Sequence, residues 1–165
     1  MPGLRVVAPR NPARAYGLLL AAIRDPDPVI FLEPTRNYRL FKSAVEDNGE
    51  ALPLDTAFVE REGADVTLVS WGAMMHETRQ AAEQLAEQGI SAAVVDVATL
   101  KPLDMDPLLP SGAKTGRRVL ISAAPRAGSG ASEVAAHIAE PGLLCLVATV
   151  PASVRSDTTL ARGQR

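Results

Sequence analysis

A strand, a helix and a second strand follow one another over residues 65–100, and this unit restricts the fold more than any other segment. Residues 66–71 are almost continuously apolar, as expected for a strand buried on both faces of a parallel sheet. Residues 73–88 repeat at helical spacing, and Gly89 stands where a helix ends in the left-handed conformation. The second apolar run, residues 92–97, completes a right-handed crossover. The helix is predicted to share one buried face among Met75, Thr78, Ala82 and Leu85.

The first 34 residues predict a smaller unit of the same kind. A short strand over residues 4–8 precedes Asn11-Pro12, a typical helix start, and a buried strand covers residues 29–32. The helix is expected to turn inward Tyr16, Leu19, Leu20 and Ile23. Because three elements cannot cover both faces of a sheet, we expect the tail of a larger α/β domain that binds a partner or a second copy. The side chains expected to lack a cover are Val7, Ile30 and Leu32.

The remaining sequence predicts a linker, a main domain and a tail. Residues 35–54 are polar and aperiodic, as in a linker, whereas residues 55–150 predict the main domain and residues 151–165 an irregular tail. The predicted fold class is α/β, a mainly parallel twisted sheet with helices on both faces, preceded by the tail of a second α/β domain. Further expected elements are an edge strand over 56–60, a turn over 101–104, a helix over 105–109 limited by Pro110, strands over 118–122 and 143–147, and a helix over 131–140.

Composition and charge exclude several classes of function. Hydrophobic residues make up 47% of the chain and aromatic residues 4%, which predicts an aliphatic core. The formal net charge of −2, without a basic stripe, gives no basis for binding nucleic acid. No apolar run is long enough to span a membrane and no signal-peptide core is present, so we expect a cytoplasmic protein without a membrane partner. Cys145 is the single cysteine, which excludes an intramolecular disulfide.

Few residues stand in the pattern of a catalytic or phosphate-binding motif. The glycine-bearing loop over residues 125–130 opens a helix, but it lacks the spacing of a dinucleotide fingerprint or P-loop, so a plain turn is the better interpretation. His76 and His137 fall on predicted helices, where a solvated polar face is the better interpretation. Ser70 and Ser122 end strands outside any nucleophile elbow, which argues against a hydrolase.

Asp25 and Asp27 are a different kind of candidate. They follow the carboxyl end of the first predicted helix, where free carbonyl groups and carboxylates together offer hard oxygen ligands for a cation. The alternative is a helix stop made of Asp-Pro turns, and composition alone favours it.

Several segments, taken together and in order, resemble the β subunit of 2-oxoacid dehydrogenase E1, a family that includes the pyruvate, branched-chain 2-oxoacid and acetoin enzymes. The resemblance rests on residues 2–9 (PGLRVVAP), 17–25 (GLLLAAIRD), 28–34 (PVIFLEP) and 62–72 (EGADVTLVSWG), and it continues through 95–104, 114–117 and 124–125. The last of the four quoted segments matches the start of that subunit's transketolase-like C-terminal domain.

The resemblance implies an α2β2 enzyme that uses thiamine diphosphate and Mg²⁺ to decarboxylate a 2-oxoacid. It implies three partners, namely the E1 α subunit, a second β subunit and the E2 acyltransferase, with the C-terminal domain serving dimerisation and E2 docking. The family's catalytic glutamate would precede Met1 and the α subunit largely holds the diphosphate, so no catalytic or cofactor-binding residue is assigned to this chain. The acids at buried strands, Glu33 and Asp96, match no catalytic position of the family. In some members of the family, the residues that correspond to Ala22, Asp25 and Asp27 form a structural K⁺ site.

The sequence also departs from the family pattern. Members usually carry His-Glu just before the Ala-Pro that residues 124–125 match, whereas this chain has Ser122-Ala123, and the match after Glu140 is poor. We therefore interpret the chain as a partial β subunit that acts in a complex and is inactive alone. The alternative is a non-catalytic assembly module, or a decayed remnant of that subunit. A free nucleotide-binding domain would rest on the loop at residues 128–130 alone.

Overall fold

Two β-sheets and four α-helices make up the described part of the chain, which a computed structural model gives for residues 3–40, 42–125, 130–142 and 152–155. The strands are β1 (Arg5–Val7), β2 (Val29–Phe31), β3 (Phe58–Arg61), β4 (Val66–Ser70), β5 (Ala92–Asp96), β6 (Thr99–Lys101), β7 (Arg118–Pro125) and β8 (Ala152–Arg155). The helices are α1 (Pro12–Arg24), α2 (Met74–Glu87), α3 (Leu108–Thr115) and α4 (Gly130–Gly142), and a 3₁₀ helix covers Thr35–Arg39. The small sheet has the order β2–β1–β6, and the large sheet has the order β3–β5–β4–β7–β8.

The large sheet has the predicted α/β architecture. Strands β5, β4, β7 and β8 run parallel, and β3 pairs antiparallel with β5 at one edge. Leu68 and Val94 pack against α2 on one face, whereas Val69 and Val95 face α3 and α4 on the other. Burial on both faces explains why β4 and β5 are almost continuously apolar. Val69 and Val95 have no exposed surface, which confirms that the strands predicted over 66–71 and 92–97 are buried at their centres.

The small sheet contains strands from before and after the predicted linker in the chain. β1 pairs parallel with β2 and antiparallel with β6, which lies beyond β5 in the chain. The turn predicted over 101–104 is therefore wrong at Lys101, because the free edge of β1 offers main-chain partners to residues 99–101. Val7 was predicted to lack a cover, but it is fully buried because it packs with Leu18 and Ala98.

Helix α1 begins as predicted but faces a different way. Asn11 Oδ1 accepts a hydrogen bond from the Arg14 main-chain nitrogen at 2.8 Å, and Pro12 is the first helical residue. Leu18 is buried, and beside it Gly17 lies so near Leu52 that a β-carbon would stand 2.6 Å from Leu52 Cγ. The predicted inward orientation is wrong for two residues, Leu19 and Ile23, which are exposed. Since residues 17–23 are apolar all round the helix, periodicity cannot select the buried face.

The segment between the two sheets is only partly detached from them. Residues 42–51 form neither helix nor strand and are exposed, as expected of a linker. Leu52 instead donates its main-chain N–H to the Gly17 carbonyl at 3.0 Å, and Leu52 and Leu54 pack beside the core of the small sheet. These contacts attach the end of the segment to α1.

Three further predictions differ from the structure or lie outside it. Helix α3 runs past Pro110, which is its third residue, because N–H groups of the first helical turn have no intrahelical partner for proline to remove. The irregular tail predicted from residue 151 is wrong over β8, since the free main-chain groups at the edge of β7 can pair with a further strand whatever its side chains are. The strand predicted over 143–147 lies outside the described residues. None of the helices described here is both long and apolar enough to span a bilayer.

Candidate functional site

The carboxylates predicted as cation ligands are bound to an arginine. Arg5 Nη1 on β1 lies 3.0 Å from Asp25 Oδ1 and 3.3 Å from Asp27 Oδ2. Arg5 Nε donates to Asp55 at 2.9 Å, and the hydrogen bond with Asp55 is the main reason that the pKa of Arg5 is raised. Asp25 Oδ1 also accepts the main-chain N–H of Asp27 at 2.9 Å. The structure thus brings Asp25 and Asp27 together, as the sequence predicts, around a guanidinium.

Binding of K⁺ at Ala22, Asp25 and Asp27 stays a prediction. The Arg5 guanidinium already supplies positive charge to both carboxylates, so a bound K⁺ would have to compete with it for Asp25. Among the residues that the structure describes, no three His, Cys, Asp or Glu side chains form a group able to hold a metal ion. The residues present therefore fit an ion-pair network better than an open cation site.

A second set of charged residues lies where α1 meets the large sheet, around one fully buried carboxylate and otherwise half-buried. Asp96, at the end of β5, has no exposed surface, and its Oδ2 lies 3.3 Å from Arg10 Nε. Arg10 Nη2 lies 2.5 Å from Glu60 Oε2 on β3, and Arg14 Nη2 lies 2.9 Å from Oε1 of the same carboxylate. The Arg14 guanidinium also stacks 3.7 Å from the ring centroid of Phe58. We call Arg10, Arg14, Glu60 and Asp96 the buried ionic cluster.

The Asp96 carboxyl is the least satisfied member of this cluster. Neither of its oxygens accepts a hydrogen bond from a described residue, because the contact with Arg10 lacks hydrogen-bond geometry. The pKa of Asp96 is raised to about 7, mainly by burial and in part by Glu60, against the positive charges of Arg10 and Arg14, which lower it. Burial outweighs the ion pair, so Asp96 exchanges its proton near neutral pH.

Two apolar surfaces lie exposed around the small sheet. On the outer side of α1, Leu19 is 41% exposed and Ile23 is 71% exposed. Ile30 and Leu32 are 42% and 45% exposed, and they alternate with Phe31, which packs beside the core. Ile30 and Leu32 therefore lie on the sheet face opposite α1, which we call the open sheet face. A cavity of about 470 Å³ near α1 has a mostly apolar lining that includes Pro9, Ala15, Leu19, Phe31 and Tyr38.

The other predicted candidates are not assembled into a catalytic site. His76 and His137 are exposed on α2 and α4, which confirms the solvated helix faces. Ser70 and Ser122 are buried in the large sheet, where Ser70 Oγ donates to the Ile121 carbonyl at 2.9 Å and Ser122 Oγ accepts from the Ala124 nitrogen at 3.2 Å. Residues 126–129 of the glycine-bearing loop and Cys145 lie outside the described residues.

Comparison with known families agrees with this architecture. The transketolase C-terminal domain model matches residues 55–165, and the transketolase pyrimidine-binding domain model matches residues 1–40. The chain belongs to the transketolase C-terminal domain family. A solved structure described as a split gene transketolase, inactive beta4 tetramer, superimposes on this transketolase-family chain with a TM-score of 0.74 and 26% identity, covering 96% of this chain and 50% of that one. The predicted fold class is confirmed.

Curated relatives point to one branch of the family. The pyruvate dehydrogenase E1 component subunit beta of Bacillus subtilis (strain 168) is 42% identical over 163 residues, which are 99% of this chain and 50% of that protein. The 2-oxoisovalerate dehydrogenase subunit beta of the same organism is 46% identical over 149 residues, covering 90% of this chain and 46% of that protein. The resemblance to E1 β subunits is therefore confirmed, and the chain spans about half the length of these relatives.

Sequence reasoning located one member of the buried ionic cluster in this transketolase-family chain. Asp96 is visible as a lone acid in the apolar strand β5. Its partners Arg10, Arg14 and Glu60 come from other elements, and no local pattern connects them with β5. The local pattern of the charged residues in α1 indicates a solvated helix face. Only the tertiary fold identifies the cluster.

Proposed function

We propose that the chain is a partial β subunit of a thiamine-diphosphate-dependent 2-oxoacid dehydrogenase E1, which contributes dimerisation and E2 docking. The observation that carries the proposal is the match to E1 β subunits over almost the whole chain, with the pyrimidine-binding and C-terminal domain models in that order. On this proposal residues 1–34 are the end of the pyrimidine-binding domain, residues 35–54 are the linker, and the C-terminal domain begins at residue 55.

The exposed apolar surfaces suit a subunit that is completed by other polypeptide. Helix α1 covers one face of the small sheet, while Ile30 and Leu32 remain on the open sheet face. Strand β2 is also an edge strand, so its main-chain groups are available for another strand. We propose that the remainder of the pyrimidine-binding domain covers this face, and that the outer side of α1, with Leu19 and Ile23, serves contacts to the second β subunit or the E1 α subunit.

The cofactors belong to the assembled enzyme in this proposal. Bound thiamine diphosphate would supply the carbanion chemistry of 2-oxoacid decarboxylation, with Mg²⁺ at its diphosphate. The part assigned to this chain is to position the small sheet through the buried ionic cluster and to present the docking surfaces. We expect the E2 acyltransferase to bind the C-terminal domain.

The test is reconstitution from separate parts. The 165-residue chain is mixed with an E1 α subunit and with the N-terminal half of a relative's β subunit, and assembly is followed by sedimentation while 2-oxoacid turnover is assayed with an artificial electron acceptor. We expect no turnover from the chain alone, and turnover from the complete mixture with thiamine diphosphate and Mg²⁺. Assembly without turnover would favour the alternative, a non-catalytic module.

Two matched variants distinguish docking through the open sheet face from nonspecific association. Ile30→Glu places a charge on the open sheet face and should prevent assembly with the N-terminal half. Val45→Glu, in the exposed segment between the sheets, adds the same charge elsewhere and should leave assembly unchanged. Turnover by the chain alone, or assembly that Ile30→Glu does not weaken, would contradict the proposal.

A further inference from the structure

A cavity rich in hydrogen-bond donors lies between the start of α1, the segment that follows residue 41 and the first turns of α2. Its volume is about 380 Å³, within the range of small-molecule sites. The polar residues of its lining are Arg10, Asn11, Lys42, Ser43, His76 and Arg79. No Asp or Glu of the described residues lines this cavity, although the formal net charge of the whole chain is −2. Positive charge is therefore concentrated at one place, which we call the basic cavity.

Two of its positively charged side chains take no part in the salt bridges of the described residues. Arg10 is paired with Glu60 and Asp96 in the buried ionic cluster, so its charge is already compensated. Lys42 and Arg79 form no ion pair within the described part of the chain. The acid in the first turn of α2, Glu77, is held by Arg36. Lys42 and Arg79 are therefore the positively charged side chains of the basic cavity that none of these salt bridges occupies, although Arg79 also lines a neighbouring cavity with Glu60 and Glu83.

The neutral groups of the lining add donors. Asn11 Oδ1 is used as the cap of α1, which leaves the amide nitrogen of that side chain as the group able to donate. The Ser43 hydroxyl is a further donor. A ligand that matches this lining has several acceptor oxygens and a negative charge. It has no group that requires a carboxylate partner from the protein.

We propose that the basic cavity binds a small anion with at least two negative charges, carried by phosphate groups or by carboxylates. Lys42 and Arg79 would supply the charge, and Arg10, Asn11 and Ser43 would supply further donors. Because the walls come from α1, from residues 42–43 and from α2, the anion would connect the two parts of the chain. It would also stabilise the folded chain, by an amount that grows with the logarithm of the anion concentration once that concentration exceeds Kd. The inference rests on the cavity and not on the proposed E1 function.

The experiment titrates the 165-residue chain with pyrophosphate by calorimetry at constant ionic strength and without divalent cations. Orthophosphate and citrate are titrated in parallel, so that binding of phosphate groups is distinguished from binding of carboxylate groups. We expect saturable binding of one pyrophosphate or citrate per chain. The double variant Lys42→Gln, Arg79→Gln should weaken it about tenfold or more, because both charge-assisted contacts are lost.

The matched control is the double variant Arg39→Gln, Arg117→Gln, which removes two exposed positive charges outside the basic cavity. It should leave the affinity within about twofold of the wild type, since neither side chain lines the basic cavity and exposed charges are screened by salt. All four positions are exposed, so circular dichroism melts should show folded chains. The proposal is overturned if no anion binds saturably, or if the control variant loses as much affinity as the cavity variant.

Discussion

Replacement of Asp96 by asparagine should change how the stability of the chain depends on pH. The pKa of this buried carboxyl is about 7 in the folded chain, against 3.8 for an ordinary aspartate. The folded state therefore holds its proton more tightly than the unfolded state, so this group favours folding fully below about pH 4. That contribution is lost as pH rises from about 4 to about 7.

The size of the effect follows from the difference of about three pKa units. Each unit corresponds to about 1.4 kcal/mol, so the free energy of unfolding of the wild type should fall by about 4 kcal/mol between pH 4 and pH 8 through Asp96 alone. Asparagine has no proton to exchange in this range. Relative to the wild type, the Asp96→Asn variant should therefore gain about 2 to 3 kcal/mol between pH 5 and pH 8.

The assay is urea unfolding of the full chain, followed by far-ultraviolet circular dichroism at pH 5, 6, 7 and 8. The quantity compared is the change with pH in the stability difference between variant and wild type, because any packing cost of the amide is the same at every pH. Asp106→Asn, at an exposed carboxylate, is the control and should follow the wild type. A difference between Asp96→Asn and wild type that stays constant from pH 5 to pH 8 would refute the reasoning.

Three further predictions concern packing and charge, and all are measured on the full chain. Leu18→Ala should cost about 2–5 kcal/mol in urea unfolding, whereas Ile23→Ala should stay within about 0.5 kcal/mol, since only Leu18 is buried; equal losses would contradict the orientation of α1. Gly112→Ala should cost about 1–3 kcal/mol, because a β-carbon there overlaps the buried Arg118 guanidinium, and an unchanged urea midpoint would count against that packing. Replacing choline by K⁺ at constant ionic strength should raise the melting temperature of Arg5→Gln but not that of the wild type, since Arg5 already compensates the neighbouring acids; a K⁺-dependent rise in the wild type would show that the ion and Arg5 bind together.

The predictability of this fold differs between its two sheets for a physical reason. In the large sheet, β4 and β5 are buried on both faces and α2 has one polar side, so periodicity alone indicates which residues are inside. In α1 the residues from Gly17 to Ile23 are apolar on every side, so periodicity could not identify Leu18 as the inward residue. Strand β6 is three residues long, and its pairing with β1 depends on a distant partner that no local pattern specifies.

The candidate sites show the same division. Asp25 and Asp27 were identified because their ligand chemistry is local, but the arginine that binds them lies on β1. The buried ionic cluster and the basic cavity draw their residues from α1, β3, β5, α2 and the segment between the sheets. Such sites arise from the packing of elements that are distant in the chain, so only the tertiary structure identifies them.

The shared strand β6 has a consequence for assembly. The small sheet needs β6 and Ala98, which follow β5, to cover β1 and Val7. The buried ionic cluster joins the same two regions, since Arg10 from the start of α1 reaches Glu60 on β3 and Asp96 on β5. A partner that covers the open sheet face therefore binds a sheet that the C-terminal domain has helped to build. Because that sheet cannot be completed without the C-terminal domain, the docking proposed at β2 would depend on residues far from the docking surface itself.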